Sequence, residues 1–317
     1  MSTVPRFPFT PYPRGWFQVL YSDELAPGAV LPISCFGQPL VLFRSAAGVA
    51  HVLDAHCPHL GAHLGYGGRV EGEQLECPFH HWRLDGQGRC VGIPGTDKIP
   101  PNAAIHAWAV QEINGLILVH HGPEAEPAWR IPALTEYGSQ QWTPYVKRRW
   151  RIRTHAQEIS ENIVDGAHFR YVHRTLSLPK TQFESSGPVF RTASRMLQPT
   201  PRGPVDGLIA GEAHGLGYWA IRFTGIVDLL LISAATPVDD EHVELRLTFT
   251  VRRGETETSN DRVGNALIAE VCRQVDEDVP IWENKIYRTK PLFTEGDGSI
   301  SALRNWSKQF FEPVAAR

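Results

Sequence analysis

The sequence predicts an α+β chain in two parts: an all-β N-terminal half, then a half in which an antiparallel sheet is backed by helices. Three observations carry this. Over the first ~130 residues, short β-like runs are separated by Gly, Pro and Asp (Val30 to Ile33, Pro39 to Phe43, Val49 to Leu53, Gly115 to His120). Residues Val243 to Val251 alternate strictly. Val243, Leu245, Leu247, Phe249 and Val251 fall on one face and Glu244, Arg246, Thr248 and Thr250 on the other, which predicts a half-buried antiparallel strand. A long helical period then runs from about Asn265 to Ile286.

The remaining elements follow in order. A Pro-containing connector, Gly122 to Pro132, closes the β-rich half, so the domains are expected at 14–131 and 132–317. A helix is expected from about Gln157 into the 170s, and Pro280 should kink the last helix. No internal repeat or low-complexity tract interrupts the chain.

Bulk properties exclude several classes. The 317 residues are 42% hydrophobic and 21% charged, with a net charge of −3. This is ordinary globular composition without the basic excess of a nucleic-acid binder. The longest basic run, Lys147-Arg148-Arg149, reads as a solvated face. No stretch reaches the ~18–20 apolar residues that span a bilayer. Met1 to Pro13 lacks the apolar core of a signal peptide, so a cytoplasmic location is expected. Five cysteines (Cys35, Cys57, Cys77, Cys90, Cys272) are too few and too scattered for a disulfide framework.

Chemistry concentrates in two places. Cys57-Pro58-His59 and Cys77-Pro78-Phe79-His80 each offer one thiolate and one imidazole from one tight loop. Two sulfurs and two nitrogens are what a Rieske 2Fe–2S centre requires, two Cys on one iron and two His on the other. A structural zinc site is the rival, although zinc loops usually open with paired cysteines. His56, His63 and His81 read as polar surface or supporting groups, and Cys35, Cys90 and Cys272 as small core residues.

The second place is Glu161 to His173. His168 and His173 are candidates for a site of two histidines and one carboxylate on a non-heme iron(II). Five residues put two side chains about 140° apart on a regular helix, so the helix must widen or end between Asp165 and Arg174. For the carboxylate, Ile268, Val271, Val275, Asp278 and Trp282 step by three and four. Taking Val271 as zero, Asp278 lies within about 40° in the middle of an apolar stripe. A carboxylate there is costly unless paired or metal-bound; Asp276 and Glu277 point away.

With these motifs the chain resembles the Rieske non-heme iron oxygenases over nearly its whole length. Cys57, His59, Cys77 and His80 match the family's C-x-H and C-x2-H. Asn162, Asp165, His168 and His173 match its N-x2-D-x2-H-x4-H, and Asp278 its C-terminal carboxylate. The segments Pro13-Arg14-Gly15-Trp16, Cys77-Pro78-Phe79-His80-His81-Trp82 and Asp278-Val279-Pro280-Ile281-Trp282 are similar to the 3-ketosteroid 9α-hydroxylase oxygenases and the cholesterol 7-desaturases. The sequence lacks the membrane-anchoring N-terminus of animal desaturases, is shorter at its C-terminus than the ketosteroid enzymes, and carries no transferable motif in Arg174 to Gly187.

The resemblance implies a helix-grip, START-like catalytic domain and two cofactors, a Rieske 2Fe–2S cluster and a mononuclear iron(II) on His168, His173 and Asp278. It implies electrons from a separate ferredoxin or flavin-dependent reductase, O2, and a bulky hydrophobic, steroid-like or polycyclic substrate that is hydroxylated or desaturated. It also implies a head-to-tail homotrimer in which Asp165 bridges a cluster histidine of one subunit and an iron-ligating histidine of the next. Asn162 should lie near the iron without ligating it. Tyr218, Trp219, Ile221, Phe223, Leu229 and Leu231 are candidates for the pocket wall. Three alternatives stand beside this reading: a purely electron-transferring Rieske protein, a zinc-stabilised lipid-binding module, and the same chemistry on a smaller aromatic or alkaloid.

Overall fold

At the tip of one hairpin, Asn114 and Gly115 both adopt left-handed backbone, φ +54° and +73°. That pair forms a two-residue turn whose twist matches the flanking strands, and Ile113 pairs with Leu116 across it. Phe36 and Gly37 make a second turn of this kind, at φ +54° and +71°, closing Cys35 onto Gln38. The computed structural model describes residues 6–124, 126–175, 180–198, 203–254 and 257–311. The chain divides into two compact units: residues 16–133, and residues 134–317 together with the segment up to Gly15.

The first unit is all β. Its strands are β1 (Gly15–Tyr21), β2 (Val30–Cys35), β3 (Gln38–Arg44), β4 (Ala50–Asp54), β5 (Arg69–Glu71), β6 (Gln74–Glu76), β7 (Arg83–Leu84), β8 (Cys90–Gly92), β9 (Ala107–Trp108), β10 (Val110–Ile113) and β11 (Leu116–His121). They form three small sheets, ordered β1-β11-β10, β2-β3-β4-β9 and β5-β6-β7-β8. Short strands leave most of the unit to its turns. Its core includes Val41, Phe43, Leu53, Leu64, Leu75 and Leu84, and Cys57, Cys77 and Cys90 belong to the same cluster.

The second unit holds one antiparallel sheet of seven strands: β12 (Val146–Ile152), β13 (Lys180–Ser186), β14 (Val189–Gln198), β15 (Val205–His214), β16 (Tyr218–Thr224), β17 (Leu229–Pro237) and β18 (Val243–Val251). The order is β12-β18-β17-β16-β15-β14-β13. Helices α1 (Ala156–Val164) and α2 (Gly166–Tyr171) lie between β12 and β13 in sequence. Helix α3 (Glu257–Asn284) follows β18, and α4 (Gly298–Ser307) closes the unit. A Cβ on Gly264 would stand 2.7 Å from Val251 Cγ1, so glycine lets α3 approach β18 closely. Among the described residues no helix is long and apolar enough to cross a membrane.

Three expectations need adjustment. Strand β18 has the predicted limits but is buried on both faces: Arg246 is 6% exposed, Thr248 0% and Thr250 1%. The segment before β12 helps cover the polar face, where Thr250 Oγ1 donates to Thr143 O at 2.7 Å. A hydroxyl can enter a core when it is bonded, so alternation alone does not show which face is wet. Helix α3 starts at Glu257 rather than about Asn265 and continues past Pro280 to Asn284, where Asn284 Nδ2 donates to Pro280 O. The helix expected from Gln157 into the 170s is two helices, broken at Asp165. Residues 176–179 of the segment without a motif lie outside the described residues.

Candidate metal centres

The two Cys-His loops of the first unit share one hydrogen-bond plan. Cys57 N–H donates to Ala62 O and Gly61 N–H returns to Cys57 O; Cys77 N–H donates to Trp82 O and His81 N–H returns to Cys77 O. The fourth residue after each cysteine is left-handed, Gly61 at φ +73° and His81 at φ +56°. Glycine takes that conformation freely, whereas His81 holds it with Nδ1 bonded to Glu76 Oε1 at 2.7 Å.

Each loop turns its cysteine inward and its histidine outward. Cys57 and Cys77 are 3% and 2% exposed, while His59 is exposed and His80 half-buried. The two imidazole rings meet edge to face with centroids 4.6 Å apart, and His59 stacks on Trp82 at 4.5 Å. Burial, reinforced by the neighbouring Cys77, pushes the Cys57 thiol up to about 11. A thiol raised in this way ionises only when a cation compensates it. The donor set therefore fits a cluster with a buried sulfur side and an exposed nitrogen side. His56 and His63 form a β-bridge, and His63 Nδ1 accepts from Gly65 N–H at 3.1 Å.

In the second unit the end of α2, which falls between His168 and His173, answers the spacing problem. Asp165 leaves helical geometry (φ −81°, ψ 99°) and caps α2, its Oδ1 accepting from the N–H groups of Ala167 and His168 at 2.9 and 3.2 Å. Helix α2 ends at Tyr171, and His173 N–H reaches back five residues to His168 O at 3.4 Å. That widened turn brings the rings of His168 and His173 to 5.0 Å, edge to face. Asp278 enters from α3, and one ligand atom from each of the three lies within 4.8 Å of the others. All three residues are buried, 9%, 6% and 5% exposed.

The surroundings settle which atoms face inward. His168 Nδ1 bonds Asp165 O at 2.6 Å, and His173 Nδ1 bonds Glu277 Oε2 at 3.0 Å. Both Nε2 atoms are thereby turned to the centre. Asn162 Nδ2 stands 3.1 Å from His168 Nε2 and donates to Asp278 Oδ2 at 2.9 Å; His173 Nε2 is 3.2 Å from the same oxygen. Burial lowers the His168 pKa against the pull of Asp278 and Asp165. Burial also opposes charge on His173, but its bonds to Asp278 and Glu277 outweigh that and leave its pKa raised. Two imidazoles and a carboxylate, buried and convergent, suit a non-heme iron(II) site.

Two details depart from the sequence reading. Asp165 holds His168 through its backbone carbonyl, with carboxylate Oδ2 4.0 Å from Nδ1. Glu277, placed on the outer face by helix arithmetic, is the carboxylate that touches His173. The site opens on a cavity of about 580 Å3 between α3 and the sheet. Ile221, Phe223 and Leu231 line it as expected; Tyr218, Trp219 and Leu229 do not, although they are buried. Tyr218 falls on the other face of β16 from Ile221, and Trp219 donates to Ser160 Oγ on α1.

Comparison with known proteins identifies both halves of the chain. Residues 15–109 match the Rieske [2Fe-2S] domain, and residues 119–311 match the 3-ketosteroid 9alpha-hydroxylase C-terminal domain. The chain is 31% identical to cholesterol 7-desaturase nvd 1 of Ciona intestinalis, over 96% of this chain and 70% of that protein. It is 32% identical to the 3-ketosteroid-9-alpha-monooxygenase oxygenase component of Mycobacterium tuberculosis, over 96% and 83%. In fold it resembles dicamba monooxygenase bound to dicamba, with TM-score 0.76, 18% identity and coverage of 93% and 96%. It also resembles Pseudomonas putida CBB5 NdmA with caffeine, with TM-score 0.77, 19% identity and coverage of 92% and 89%. The Rieske match removes the zinc-module reading, and the C-terminal match removes the purely electron-transferring one. The chain belongs to the Rieske oxygenases, as an oxygenase component whose second half is of the 3-ketosteroid 9alpha-hydroxylase type.

Proposed function

We propose that this oxygenase component carries out O2-dependent hydroxylation or desaturation of a bulky hydrophobic, steroid-like or polycyclic substrate, using electrons from a separate ferredoxin or flavin-dependent reductase. The observation that carries the proposal is the opening of the His168–His173–Asp278 cluster directly onto a largely apolar cavity of about 580 Å3. That size is well inside the range for drug-sized ligands and favours a bulky substrate over a small aromatic one. The relatives named for steroid and sterol chemistry support the same class.

Cys57 and Cys77 would hold one iron of the cluster and His59 and His80 the other; His168, His173 and Asp278 would hold the mononuclear iron. When bound, these groups supply one-electron transfer and O2 activation. The chain's own residues do the rest. Asp165 O and Glu277 fix the two imidazoles with Nε2 inward. Asn162 donates to Asp278 Oδ2 and keeps that carboxylate turned to the centre. Apolar walls from β15 to β18 and α3 exclude water and position the substrate.

A cytoplasmic head-to-tail homotrimer completes the proposal, with Asp165 of one subunit set against a cluster histidine of the next. The Asp165 side chain is 29% exposed and its Oδ2 takes no hydrogen bond among the described residues, which leaves it available for that contact. A closed ring satisfies a heterologous interface. The test is iron content with visible and EPR spectra, before and after dithionite, in wild type and His168→Ala. About three irons per chain falling to about two, with the reduced Rieske signal retained, is the expected result. A colourless protein without iron overturns it. Light scattering checks the trimer.

A further inference from the structure

The pocket side of α3 carries two polar residues above the metal cluster, Glu270 and Gln274. Gln274 precedes Asp278 by one turn, about 6 Å along the helix axis. Glu270 is held from below by Arg273, whose Nε donates to Oε2 at 2.9 Å while Nη2 donates to Oε1. Gln274 Nε2 donates to Glu270 Oε1 at 2.9 Å. A carboxylate only accepts, so it selects the nitrogen end of the amide. Arginine orients the carboxylate, the carboxylate orients the amide, and the amide oxygen is left over. Among the described residues nothing donates to Gln274 Oε1.

An acceptor of fixed polarity in a mostly apolar cavity discriminates by what it cannot pair with. Resting on the function proposed above, we propose that the substrate carries a hydroxyl group and that Gln274 Oε1 accepts its hydrogen bond. A ketone at the same place would set oxygen against oxygen. The amide's second N–H could serve a ketone only close to the Glu270 carboxylate, whose negative charge repels the carbonyl oxygen. Ser233, the one polar side chain that the described sheet residues add to the lining, donates or accepts and so imposes no preference. On the α3 wall the selective group is Gln274, a positioning residue that holds the hydroxyl about one helical turn from Asp278.

The test is equilibrium binding of three matched steroids, androstan-3-ol, androstan-3-one and androstane, to the purified full-length protein, read by quenching of tryptophan fluorescence (Trp282 lines the cavity). The alcohol should bind about ten- to a hundredfold more tightly than the ketone. Gln274→Met should bring the alcohol to the level of the ketone and leave androstane unchanged. Glu270→Gln should narrow the same gap, because an amide partner donates as well as accepts and frees Gln274 to turn; it decides the matter if Gln274→Met loses androstane too. Equal binding of alcohol and ketone in the wild type, or an alcohol preference that survives both variants, overturns the inference while leaving the oxygenase reading intact. Failure of all three steroids to bind overturns the hydrophobic-substrate reading and this inference with it.

Discussion

Glu277 follows Asp276 and precedes Asp278, and its Cα direction lies 100° from that of Asp278 on an ideal helix. Its carboxylate still reaches His173 Nδ1, because a glutamate side chain spans what its Cα direction does not. Helix arithmetic on Cα positions therefore located the carboxylate that joins the histidine cluster and missed the one that supports His173. Glu277→Ala should weaken iron binding about 10- to 100-fold, measured by titrating iron(II) into chelator-treated protein, while Glu277→Gln recovers part of the loss. Unchanged iron affinity in the alanine variant would remove Glu277 from the site. A second residue-scale effect belongs to His155, 4% exposed and packed at tilted angles among the rings of Phe7, Phe9 and Phe311. Its Nδ1 accepts from Gln157 N–H and caps α1, and burial lowers its pKa to about 4. The unfolded chain takes up a proton near pH 6.5 that the folded protein refuses until about pH 4. Stability should therefore fall as pH drops through that window, and His155→Asn, which keeps a cap without the titration, should flatten the fall in a Tm-against-pH series.

Helix α1 is tied to the rest of its unit by buried charges. Glu161 receives Arg304 of α4 in a two-pronged pair at 2.8 and 2.7 Å, with side chains 6% and 14% exposed. Ser299 of α4 donates to Val164 O at 2.7 Å, satisfying a carbonyl at the end of α1. Because Asn162 sits between these ties, α4 helps place a residue that bonds Asp278. Arg304→Met should cost about 3–5 kcal/mol in urea unfolding by leaving Glu161 buried and unpaired, and the double variant Glu161→Gln/Arg304→Met should recover part of that. A loss under 1 kcal/mol would show the pair to be dispensable. At this scale the sequence was informative where geometry forced one answer: two histidines five apart cannot converge on an unbroken helix, and α2 ends between them, at Tyr171. It was less informative where cover comes from elsewhere. The alternation of β18 marked a strand, but its polar face is buried too, and Thr143, distant in sequence, takes the Thr250 hydroxyl there.

Across the whole chain, the α+β class and the two side-chain constellations proposed to hold metal stood out in the sequence because thiolates, imidazoles and a stranded carboxylate have few other uses at those spacings. The cavity was legible only in part: the strand-like middle of the second half offered Ile221, Phe223 and Leu231 as walls but could not tell wall from core for Tyr218, Trp219 and Leu229. Helix α3 gives the cavity a property that none of its residues has alone. Leu267, Val271 and Val275 face the cavity in successive turns before Asp278, at about 16, 10 and 5 Å along the axis. The helix is thus a graduated rule with the metal cluster at its zero mark, and a bulky substrate of the proposed class lying along it would be gauged by length. Val271→Trp should abolish turnover of an elongated tetracyclic substrate while sparing a two-ring one, and Leu267→Trp should trim only the longest, as a competition between the two substrates would reveal. Equal losses for both would mean that the cavity senses bulk and not reach. On this gauge, related oxygenases could change which substrate lengths they accept one turn at a time, without disturbing the metal at the end of the scale.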